Sequence, residues 1–204
     1  MFTENEIGAL IINPEIQEST EKLRTDFIEK EAPYLEISLH DFLSLILLTP
    51  SVGIALADTS VNLMEEMALN KKARKYSKGG YFLKLDPVVS AMGYLIKNYD
   101  EWSDTFYTHI KRLVDILLDK DELMKSRIDS PDVTDEEYCA ELLSAPFILV
   151  RLISSFITNA ENEDSSVEQK IGQKEHDRIM EIFEKIDLAN IPLVKRHLIK
   201  LVVK

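Results

Sequence analysis

Residues 38–57 read SLHDFLSLILLTPSVGIALA, and the reading of this stretch decides the fold class. From Phe42 to Ala57 there are sixteen residues without a charge. Ser38 is a helix cap, and Leu39, Phe42, Leu43, Ile46 and Leu47 recur at helical spacing. Thr49-Pro50 then reads as a corner that restarts the chain into a long helix through about Ser77. Gly53, Ala55 and Ala57 are small enough to let a neighbouring helix approach, and Val61, Met64 and Met67 continue the spacing. At sixteen residues, broken by Pro50, the run is shorter than the ~20 needed to cross a bilayer, so two buried helical segments of a soluble protein are expected.

The same punctuation recurs on both sides. Thr3 with Glu6, Thr134 with Glu137 and Ser165 with Glu168 are capping boxes. Asn13-Pro14 and Asp86-Pro87 pair a cap with proline at the first helical position, and Ile191-Pro192 opens a terminal helix reaching Leu201 and Val202. Gly79-Gly80 is a helix stop. Pro146 splits or kinks the helix that follows Thr134. Asn159–Ser166 reads as an acidic surface loop, and the Ser165 box as the start of a helix carrying Ile171, Ile179, Ile182, Phe183 and Ile186. No convincing period-2 strand appears. The expectation is an all-α single domain over residues 1–204, with about eight or nine helices and a possible sub-domain boundary near 128–134. Phe147–Ile157, apolar almost all round, is expected to be its central helix.

Composition narrows the function classes. The 204 residues are 45% hydrophobic and 29% charged, as in a globular protein, and only 6 Gly and 7 Pro argue against a turn-rich β architecture. A formal net charge of −12 disfavours bulk nucleic-acid binding. The lone Cys139 cannot form an intramolecular disulfide, and MFTENEIGAL lacks the basic and apolar regions of a secretion signal; both point to the cytoplasm. Apolar runs this dense also leave room for a homodimer face.

The charge is distributed unevenly. From Ala68 to Leu85 there are six cations and no acid, so the remainder of the −12 chain carries −18. The cations are Lys71, Lys72, Arg74, Lys75, Lys78 and Lys84, interleaved with Tyr76, Tyr81 and Phe82. Cations in the last turns of a helix complement its dipole, which accounts for the first four. Lys78 and Lys84 lie beyond the helix expected to end near Ser77, and basic residues interleaved with exposed aromatics suit an acidic protein segment or a phosphate-bearing ligand.

Three other constellations bear on chemistry. Arg151, Ser154, Ser155 and Thr158 form a polar stripe on the apolar helix. A buried arginine requires a carboxylate or a bound anion, so Arg151 either joins an internal ion pair or lines an anionic-ligand pocket with Ser154, Ser155 and His109. His109, set among Phe106, Tyr107 and Ile110, is the best axial haem candidate, but a single histidine carries no ligand spacing, and no cofactor is expected. His40-Asp41 and His176-Asp177 resemble the paired ligands of metal-dependent phosphohydrolases of the HD class, yet the histidine and aspartate that the class places on separate helices are not identifiable by spacing. No metal residues are assigned. Catalytic residues are not assigned either: no Gly-x-Ser-x-Gly elbow or phosphate-binding loop is present, and acids beside Cys139 raise rather than lower a thiol pKa. The reading is therefore a cytoplasmic, non-enzymatic interaction or regulatory protein that docks an acidic partner or phosphate-bearing ligand through the basic island. The alternatives are a small-ligand sensor or enzyme around Arg151 and His109 and, third, a metal-dependent hydrolase.

Overall fold

A computed structural model describes residues 1–79, 85–125, 133–156 and 170–203. Eleven helices lie among them: α1 (Glu4–Ile11), α2 (Pro14–Glu31), α3 (Leu39–Ala55), α4 (Leu63–Tyr76), α5 (Pro87–Lys97), α6 (Tyr99–Leu117), α7 (Lys120–Leu123), α8 (Asp135–Ser144), α9 (Phe147–Phe156), α10 (Gln173–Lys185) and α11 (Pro192–Ile199). The fold is all-α. Among the described residues the one departure is a two-residue parallel bridge between β1 (Lys170–Ile171) and β2 (Val202–Val203), which takes Ile171 and Val202 out of the helices expected for them.

Most helices start where the caps predict. Thr3 accepts from the Glu6 amide while Glu6 accepts from Thr3, and Thr134 and Glu137 do the same. Asn13 and Asp86 accept the first free amides of α2 and α5, with proline at the next position. The Ser165 box and the Asn159–Ser166 loop lie outside the described residues, as does most of the 128–134 loop. The described helix there begins at Gln173, where the Glu175 carboxylate accepts from the Gly172 amide.

Two expectations are corrected. The helix expected from Pro50 to Ser77 does not form: α3 runs through Pro50 to Ala55, Thr59 takes a left-handed φ of 74°, and α4 starts afresh. Its start is a capping box of Asn62 and Glu65, which a continuous apolar spacing across Val61 and Met64 concealed. The central helix is α3, not the one around Phe147–Ile157. Every α3 residue from His40 to Ala55 is buried, against α1, α2, α4, α5, α6, α9 and α10. By contrast, α9 is shorter, its Phe147 is exposed, and Arg151 keeps one side at the surface.

The core on one side of α3 is aromatic. Phe27, Phe42, Trp102 and Phe106 meet with ring centroids 5.0–5.8 Å apart, and Glu31 accepts from both Trp102 Nε1 (2.9 Å) and Asn98 Nδ2 (2.6 Å) at the α5–α6 junction. Further along α3, Gly53 faces a buried hydroxyl pair, Tyr99 Oη and Tyr107 Oη, 2.7 Å apart. A β-carbon at Gly53 would fall 2.1 Å from the first oxygen and 2.8 Å from the second. Both rings are packed in the core and cannot swing aside without leaving it. Gly53→Ala is expected to lower stability by about 1–3 kcal/mol in urea denaturation, the range for overpacked cores. Tyr99→Phe combined with it should recover part of the loss.

Candidate functional site

The basic island is carried by α4, so its geometry follows from a helix turning about 100° per residue. Leu69, Lys72, Ala73 and Tyr76 point inward and are buried. Leu63, Met64, Met67, Lys71, Arg74 and Lys75 fall within one 120° sector of the opposite face, and all six are exposed. Leu63, Met64 and Met67 are 71, 63 and 58% exposed. The outer stripe is therefore apolar in its first half and basic in its second. Glu65 and Glu66 lie on the same helix but outside that sector.

Beyond α4, Ser77 ends the helix and the Lys78 amide donates to Asp41 Oδ1 at 2.8 Å. Asp41 is fully buried and also accepts from Ser38 Oγ at 2.8 Å. His40 beside it donates from Nε2 to the Glu4 carbonyl at 2.9 Å, and its pKa is raised, chiefly by the Asp41 carboxylate. The first His-Asp dipeptide is thus a latch that fixes where the basic helix ends. Gly79 then turns with φ at +79°. Tyr81, Phe82 and Lys84 lie outside the described residues.

Lys72 and Tyr76 do not belong to a docking surface. Lys72 is only 3% exposed; its Nζ donates to Ser51 Oγ at 2.5 Å and to the Ser155 carbonyl, and no carboxylate among the described residues pairs with it. Burial lowers its pKa from 10.5 to about 7. Tyr76 is fully buried under Phe2, its hydroxyl accepts from the Phe2 amide at 3.4 Å, and burial raises its pKa well above 10.0. Both adjoin the island in sequence only. The signal that separates them is the apolar spacing Leu69–Ala73–Tyr76, whose face Lys72 shares.

No family model, curated protein or solved structure matches this chain. The site is therefore argued from its own chemistry.

Arg151 meets a carboxylate: its Nη2 donates to Glu6 Oε1 at 2.9 Å, and its guanidinium lies 4.5 Å from the centre of the Phe147 ring. Ser154 accepts from the Met1 amine at 2.6 Å, so it shares this α1–α9 seam. Ser155 belongs elsewhere, since its carbonyl receives Ser51 and Lys72 from α3 and α4. His109 is buried between α2 and α6, 3.1 Å from Thr20 Oγ1. Thr20 already donates to the Ile16 carbonyl at 2.6 Å, so His109 is the donor, and burial lowers its pKa to about 4. The four residues expected around one pocket thus lie at three separate seams. An open groove of about 520 Å³ runs along the outer side of α2, lined by Glu18, Glu21, Lys22 and Leu39 among others, and contains none of them.

The Ser51–Lys72 pair has the composition of a nucleophile beside a desolvated amine base. With Ser51 fully buried, no substrate reaches it in this conformation. Among the described residues no three His, Cys, Asp or Glu side chains converge as metal ligands, and no single helix is long and apolar enough to cross a membrane.

Proposed function

We propose that this chain is a cytoplasmic, non-enzymatic docking protein that binds an acidic, partly apolar protein segment along the outer face of α4. One observation carries the reading. Lys71, Arg74, Lys75 and Lys78 are exposed on a protein of net charge −12, and none of them pairs with a carboxylate among the described residues. Elsewhere most surface cations are paired, and the exposed lysines without a carboxylate partner among the described residues, Lys22, Lys30, Lys97 and Lys195, are scattered over α2, α5 and α11 rather than clustered. Lys111 and Lys120 bridge Asp115 and Asp187, Lys185 reaches Asp104 and Glu181, and Lys200 holds Asp135. The free cations run from Lys71 on α4 to Lys78 just past its end, about 10 Å in all, so a single phosphate does not span the whole set, although Lys71, Arg74 and Lys75 lie on adjacent turns. A longer acidic segment spans them, and its apolar residues cover Leu63, Met64 and Met67. The exposed free thiol of Cys139 fits a reducing compartment.

The test is fluorescence anisotropy with a synthetic helical peptide, glutamate-rich in one half and leucine-rich in the other. Binding is expected to weaken as salt rises. The Lys71→Glu/Arg74→Glu/Lys75→Glu variant should bind roughly tenfold or more weakly, because like charges then face each other. Equal affinity for wild type and variant would overturn the reading. Lys72 must stay unchanged in this comparison, since altering it tests the core.

A further inference from the structure

α8 carries the counterpart of the α4 stripe. Its outward residues are acidic first and apolar afterwards: Asp135 and Glu136, then Cys139, Ala140 and Leu143, all exposed. Leu143 is 89% exposed. Asp135 is held by Lys200 and Glu137 by the Thr134 cap, which leaves Glu136 as the free acid of the stripe. The inward residue Tyr138 is buried, its ring 4.2 Å from Lys200 Nζ and its hydroxyl 3.1 Å from His197 Nδ1 of α11. The outward face of α8, centred on Glu136, Ala140 and Leu143, therefore lies opposite the buried Tyr138.

Laid antiparallel, the two stripes match end for end. The apolar first half of α4 meets Leu143 and Ala140, and its basic second half meets Glu136 and Asp135. The helix dipoles also oppose in this arrangement. We propose that the acidic segment docked on α4 is α8 of a second copy of this chain. The inference rests on the docking reading above and names the partner. The contact joins unlike surfaces, so two copies close into a dimer where both pairs form and extend head-to-tail where only one does.

Sedimentation velocity over a concentration series tests this. Wild type is expected to self-associate, more weakly as salt rises. Lys71→Glu/Arg74→Glu/Lys75→Glu and Glu136→Lys/Ala140→Lys should each associate roughly tenfold or more weakly on their own. An equimolar mixture of the two should associate again, since each supplies the charge the other lacks. Circular dichroism confirms that both variants fold, which is expected because every altered side chain faces solvent. A wild type that stays monomeric, association that survives either reversal, or a mixture that stays apart overturns self-docking. The anisotropy measurement is independent: a monomeric chain that still binds the acidic peptide through α4 refutes the second copy and leaves the docking reading standing.

Discussion

Lys72→Met is expected to stabilise the protein at neutral pH by about 1–4 kcal/mol, as replacement of buried charged groups by apolar ones of similar size often does. The sign follows from linkage. The Lys72 amine has its pKa lowered by burial from 10.5 in the unfolded chain to about 7 in the fold. Between those values the unfolded chain binds the proton and the folded chain does not, so stability rises with pH from about 7 to about 10.5. Below the window the full cost applies, on the order of 5 kcal/mol. A methionine does not titrate, so the variant should lose most of this alkaline rise. It also leaves little unsatisfied, because Ser51 Oγ already donates to the Ser155 carbonyl at 3.1 Å. Lys72→Glu is the opposite case. It places a carboxylate against that carbonyl, with no cation to meet it, and should cost at least about 3 kcal/mol. Chemical denaturation at pH 7 and pH 10 separates the three proteins. A methionine variant less stable than wild type at pH 7 would show that the amine and its two acceptors are a net stabilising unit.

The fate of Lys72 shows what the sequence made legible and what it did not. Helix starts were readable because a cap is a local device: one oxygen, two or three residues from the amide it serves, as at Thr3, Asn13, Asp86 and Thr134. The all-α class followed from them. Local density of apolar residues points to Phe147–Ile157 as the central helix, whereas centrality depends on how many neighbours a helix must satisfy. Seven helices surround α3, and their packing keeps it helical past Pro50, where a local rule predicts a corner. The site was legible as a window but not as a surface. Rotation about the helix axis sends Lys72 and Tyr76 inward and leaves Lys71, Arg74 and Lys75 outside. Arg151 was expected either to pair internally or to line a pocket, and the partner, Glu6, lies 145 residues away on α1, beyond any spacing rule.

Acid should unfold the protein in a window set by two histidines. His109 and His197 each have a pKa lowered from 6.5 to about 4, in both cases mainly by burial. Neighbouring Arg112 and Lys200 add to the effect. Between pH 6.5 and 4 the unfolded chain takes up protons that the folded chain excludes, so stability falls as pH falls. Each histidine contributes about 3 kcal/mol of this loss, a large share of the total stability of an ordinary domain. His40 acts in the opposite sense: its raised pKa adds stability that is complete below 6.5 and is lost as pH rises through the folded value. The carboxylates Asp115 and Asp187, held below 3.8 by Lys111 and Lys120, titrate beneath the histidine window and do not blur it. Glutamine keeps a donor for Thr20 at position 109 and an amide able to pair with the Tyr138 hydroxyl at position 197 without binding a proton. The double variant His109→Gln/His197→Gln should therefore be less stable than wild type at pH 7 yet lose much less on acidification to pH 4.5. Parallel stability curves for the two proteins between those limits would show that neither histidine excludes protons in the fold, and that acid acts elsewhere in the chain.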